Sequence, residues 1–183
     1  MSFKNLSQKD KKSIFFLEAG INHFGSLKEA NKIVNFFLKS SFSNLTFMLH
    51  SKNFYKIYKK KNLNFILPEK FYKKLLIKAH KRKKKVGLAV CDKDTFKDLK
   101  HLNFDFYKLL SVSINNKGLI NELCKKNKPI FISTGFNVKN NQIFTCLKYF
   151  KKKRGLSILH TPMSYKISEL NFKRILELKR KFK

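Results

Sequence analysis

The chain has 183 residues, 43% of them apolar, which is enough for one domain (residues 1–183) with a sizeable core. Its formal net charge is +31, yet arginine occurs only at Arg82, Arg154, Arg174 and Arg180, so all but four of its 42 basic residues are lysine. Nucleic-acid readers lean on arginine, and Lys, Phe, Ile and Asn all have AT-rich codons; the composition therefore argues against a specific nucleic-acid partner.

Six short apolar runs read as strands: SIFFLEA (13–19), NLTFML (44–49), VGLAVC (86–91), FDFYKLL (104–110), PIFIST (129–134) and LSILHT (156–161). Helical periodicity fills the intervals at 27–39, 68–84, 94–102, 118–126, 141–153 and 168–182. Ser26 and Glu29 have the spacing of a capping box at the first helix. Residues 50–67, rich in Tyr, Lys and Asn, form the one long connection and suit a site-covering loop. Near-continuous apolar strands alternating with helices predict an α/β fold with a parallel sheet covered by helices. Two architectures satisfy this, an open doubly wound sheet and a partial (β/α) TIM-type barrel of about six units. No glycine fingerprint follows any strand. Glu18, Ser111, Ser133 and His160 instead end four different strands, which favours the barrel.

The cysteines Cys91, Cys124 and Cys146 lack metal-like spacing and read as thiols of a reducing compartment. No apolar run approaches the ~20 residues of a membrane span. The start MSFKNLSQKDKK is too polar for a signal peptide, so the expected location is cytoplasmic. His160 reads as a core histidine, and His50, His80 and His101 show no metal spacing. The Ser133-Thr134-Gly135 step also suits a simple turn with Gly135 at positive φ. Basic runs at 81–85, 125–128, 151–155 and 179–183 fall at helix ends, which predicts a positive pole on the amino-terminal face of a barrel, away from any site.

LEAGINHFGSLKEA near the start, YKLLSVSINNKGLI with PIFISTGF in the middle, and LSILHTPMSYKISELNF near the end together resemble the N-terminal catalytic domain of the sialic acid (N-acetylneuraminate) synthase family. The resemblance runs in register from about Phe15 to Phe172. It implies a phosphoenolpyruvate-dependent condensation with an N-acetylated amino sugar, assisted by manganese or magnesium. It further implies Glu18 as the catalytic carboxylate, with Asn22 and His23 in the first-strand loop beside the sugar. Lys108, Ser111 and Ser133 would contact phosphoenolpyruvate, and Tyr165 would face the sugar.

The sequence departs from the family pattern at several of these places. Phe47, Met48 and Leu49 stand as the equivalents of a family K-F-Q, Ala89 replaces a threonine, and Ser113 replaces an acid. The family's metal-binding histidines lie on a seventh and eighth strand, beyond the sixth unit where this chain stops. No metal is therefore expected on the chain itself, which reads as a truncated, diverged member. Three roles remain open: a synthase completed by self-association or by a complementing chain, a catalytically degenerate binding protein, and a basic nucleic-acid or surface-associated protein.

Overall fold

The computed structural model describes residues 14–61, 63–135, 138–150, 155–162, 164 and 166–182. Its strands are β1 (Leu17–Ala19), β2 (Asn44–Met48), β3 (Lys85–Val90), β4 (Phe106–Leu109), β5 (Ile130–Ser133) and β6 (Leu156–Leu159). Its α-helices are α1 (Leu27–Lys39), α2 (Lys52–Lys59), α3 (Glu69–Lys81), α4 (Lys93–Leu99), α5 (Lys117–Cys124), α6 (Asn140–Tyr149) and α7 (Lys173–Lys181). All strand pairs are parallel, and the order is strictly sequential from β1 to β6, with those two as edges.

Sequential order follows from short right-handed crossovers, and the side chains decide between the two architectures. Phe16, next to β1, contacts Phe131 on β5 edge to face at 5.1 Å between ring centroids. Four strand spacings in a flat sheet would separate them by ~19 Å. The sheet is therefore curled into an open arc, as in a partial barrel. Phe16, Phe106 and Phe131 fill its interior as a mutually packed trio.

Register assigns every strand residue to a face. Leu17, Leu45, Phe47, Val86, Leu88, Val90, Tyr107, Leu109, Ile130 and Ile132 point outward into the apolar layer beneath the helices. Each such large apolar side chain contributes about 1.5–3 kcal/mol on burial. Thr46, Met48, Gly87, Ala89, Phe106, Lys108, Phe131 and Ser133 occupy the opposite, concave face.

The helices begin where the sequence places caps. The Ser26 hydroxyl accepts from Glu29 N at 3.3 Å, but Glu29 pairs with Lys32 instead of returning to Ser26, so only half of the expected capping box forms. The 50–67 connection is not wholly a loop, because it contains α2. Phe54 and Tyr58 lie one turn apart on α2 and pack on Phe65, which in turn meets Phe24 of the first-strand loop. Gly25 makes this approach possible. It sits at φ +71°, and a Cβ there would lie 1.5 Å from Asn64 O.

The basic runs at 81–85 and 125–128 lie before β3 and β5, on the amino-terminal face. Several of their cations serve as caps. Arg82 donates to Leu38 O at 2.9 Å, Lys84 to Ser40 O and Phe42 O at 2.7 and 2.6 Å, and Lys126 to Lys100 O. Each satisfies carbonyls at or just beyond the end of a helix, α1 or α4. Residues 151–154 and Lys183 of the other runs lie outside the described residues. No helix among those described is long and apolar enough to cross a membrane.

Candidate functional site

Strand parity and curvature together build the site. Glu18 on β1 and Lys108 on β4 are 90 residues apart in sequence, yet Lys108 Nζ lies 2.6 Å from Glu18 Oε1 across the concave face. The lysine side chain is 13% exposed and the glutamate 57% exposed. An ammonium so enclosed requires an anion nearby, and the glutamate supplies one from a position open to solvent.

Ser133 ends β5 on the same face as Lys108 and is 1% exposed; its hydroxyl is buried and has no hydrogen-bond partner among the described residues. An orphaned polar atom in such a place is a ready donor for a ligand oxygen. Ser111 is also buried, but its hydroxyl accepts from Gly135 N at 2.7 Å and so ties the loop after β4 to that after β5. The Gly135 N–H is engaged as that donor.

Asn22 and His23 are not drawn to the Lys108 pair. Asn22 is exposed on the first-strand loop. His23 is 2% exposed, accepts from Gly25 N at 2.9 Å through Nδ1, and lies 6.2 Å from the outward-facing Phe47 ring. It braces its own loop. Burial above all holds its pKa below the usual histidine value, with the nearby His50 acting in the same direction. Tyr165 lies outside the described residues. His160 donates through Nε2 to Leu170 O at 2.7 Å, while its buried Nδ1 has no partner among the described residues.

One sequence assignment shifts by a residue. Phe47 is fully buried against Phe71 and Tyr72 in the helix layer, so the interior positions of β2 are Thr46 and Met48. A lysine and a glutamine two residues apart share a face. Their equivalents here are therefore Thr46 and Met48, not Phe47 and Leu49, with Phe47 matching the central Phe. Ala89 is interior and sits beside Lys108 in register. Asp92 caps α4, accepting from Asp94 N at 3.2 Å and from Lys52 N at 2.9 Å. Sequence reasoning missed Gly87, where a Cβ would lie 2.0 Å from the Phe106 ring. A lone glycine inside a strand was the available signal.

Among the described residues no group of three or more His, Cys, Asp or Glu side chains gathers as a metal site.

A sequential parallel arc with helices outside and a charged pair within defines a (β/α)-barrel-type α/β protein. Within that class the chain belongs to the NeuB family, whose sequence model matches residues 18–183. The fold is similar to that of N-acetylneuraminic acid (sialic acid) synthetase from Leptospira borgpetersenii serovar Hardjo-bovis, with TM-score 0.80 and 23% identity over 93% of this chain and 62% of that one. A spore coat polysaccharide biosynthesis protein of Bacillus subtilis has TM-score 0.69 and 18% identity over 85% of this chain and 46% of that one. A truncated form of 3-deoxy-D-arabino-heptulosonate 7-phosphate synthase from Thermotoga maritima has TM-score 0.61 and 12% identity, covering 91% and 60% respectively. At these identities the likenesses concern the fold alone, and the chain spans less than two thirds of each of these proteins. Comparison with curated proteins returned no match.

Proposed function

We propose that this chain is a sugar-acid-synthase-type domain in which Lys108 and Ser133 hold the carboxylate or phosphate of phosphoenolpyruvate, while condensation with an N-acetylated amino sugar is impaired. The Lys108–Glu18 pair across the arc carries this reading. Glu18 is exposed enough to swing into water, leaving the enclosed ammonium to an incoming anion. The unpartnered Ser133 hydroxyl then donates a second hydrogen bond, and Ser111 positions the Gly135 loop beside it. Glu18, Asn22, His23 and Tyr165 belong to the sugar side in this reading. Impairment follows from Thr46, Met48 and Ala89, which bring neither cation nor amide to the interior. A divalent ion has no place on the described residues in this proposal.

The test is calorimetric titration with phosphoenolpyruvate. Lys108→Met should weaken binding at least tenfold, because a hydrogen bond to a charged group contributes about 1.5–3 kcal/mol, and Glu18→Gln should not weaken it. Equal binding by wild type and Lys108→Met overturns the assignment. Turnover of phosphoenolpyruvate with N-acetylmannosamine and manganese by the purified chain overturns the impairment.

The edges of β1 and β6, which pair with no further strand among the described residues, and the exposed Phe15, Phe172, Ile175 and Leu176 support self-association or a complementing chain. Sedimentation as a monomer at all concentrations argues against self-association.

A further inference from the structure

Outside the arc, between α2, α3 and α4, lies a cavity of about 590 Å³, within the size range of small-molecule sites. Its floor is apolar, formed by Leu49, Leu67, Tyr72 and Leu99, all buried. One wall is different in character. Lys52, Lys56 and Lys59 recur along α2 at steps of four and three, so they share one side of the helix over ~10 Å. None of the three forms an ion pair among the described residues. Phe54 and Tyr58 attach α2 to Phe65, leaving the lysine side to the cavity.

Two acids also line the space. Glu69 is already held by Lys73 at 2.5 Å and His101 at 3.1 Å, which keep its carboxyl below the usual carboxylate range. Asp98 is the one carboxylate of the lining with no such partner among the described residues. The charge left facing the cavity is therefore positive.

We propose that this cavity is a binding site for a small organic anion with an apolar, ring-sized body, such as an aryl carboxylate, sulfonate or phosphate. The body lies on the Leu49–Leu67–Tyr72–Leu99 floor and the anionic group meets the α2 lysines. Charge complementarity selects this class, because a neutral apolar body would leave three ammonium groups unanswered at the rim. The site is separate from the Glu18–Lys108 pair and does not depend on the function proposed above.

The probe is 8-anilinonaphthalene-1-sulfonate, followed by fluorescence and by amide shifts in NMR spectra. One molecule should bind per chain, shifting the amides of Leu67, Tyr72 and Leu99. The exposed lysines can be replaced without touching the core, so Lys52→Gln/Lys56→Gln/Lys59→Gln should fold normally and bind at least tenfold more weakly. Uncharged N-phenyl-1-naphthylamine should bind wild type more weakly by a similar factor. The neighbouring groove between α1 and α3 carries Lys70, Lys74 and Lys78 and is the control; glutamine there should leave binding unchanged. Wild-type affinity in the α2 triple variant, equal binding of the neutral probe, or loss of binding only in the α3 variant overturns the proposal.

Discussion

Replacing Gly87 by alanine tests the interior packing that supports Lys108. The added Cβ would fall 2.0, 2.3 and 2.4 Å from three carbons of the Phe106 ring, where carbon atoms rest at ~3.5–4 Å. The ring must therefore move by about 1.5 Å. It is 1% exposed and backed by Phe16 at 5.1 Å and Phe131 at 5.7 Å, so these rings must move with it. Overpacking of this kind costs about 1–3 kcal/mol, and the upper end applies because three rings must shift together. Gly→Ala recovers about 0.4–1 kcal/mol by restricting the unfolded chain. The net loss is about 2 kcal/mol, or roughly 4–8 °C in Tm for a chain of this length. The sequence contains no tryptophan, so far-UV circular dichroism in urea is the assay. Phe106→Leu in the Gly87→Ala background should recover at least ~1 kcal/mol relative to additivity. Wild-type stability in Gly87→Ala, or strict additivity in the double variant, refutes the packing argument.

Gly25→Ala places a Cβ against the Asn64 backbone at positive φ, which no rotamer relieves; hydrogen exchange across residues 50–67 should rise sharply, and unchanged protection would show that the 50–67 connection does not depend on that approach. His23 and His50 both have pKa values lowered chiefly by burial, so below pH 6.5 the unfolded chain binds more protons than the folded one. Stability is then fully present above about pH 7 and falls with pH from about 6.5 downward; an unchanged urea midpoint between pH 7.5 and 5 contradicts this. Lys84→Met removes two hydrogen bonds to carbonyls past the end of α1 and should cost about 1.5 kcal/mol, whereas exposed Lys81→Met should cost almost nothing. Equal losses at both positions would show that the positive pole has no capping role.

The order of elements was legible in the sequence because each is announced locally. Ser26, Ser51, Asp92 and Asn116 all carry side chains that cap the following helix, as their residue types suggest. Apolar runs marked all six strands to within a few residues, although β1 is reduced to Leu17–Ala19. α2 is not announced locally because its eight residues bury none of their side chains and its attachment is edge-on and tilted aromatic packing on Phe65, a partner beyond the helix itself. The site was legible only as a set of strand-end residue types. Which of them meet depends on the face each strand turns inward, and a parallel strand buried on both sides gives no alternating pattern from which to read it. For that reason the sequence alone does not fix which residues of β2 face inward. Only packing placed Phe47 under the helices and Thr46 and Met48 inside, and only curvature brought Glu18 to Lys108 while leaving His23 against Phe47. Strand identity is a property of a few neighbouring residues, whereas the pairing of groups 90 positions apart is a property of the curved path the sheet takes through space.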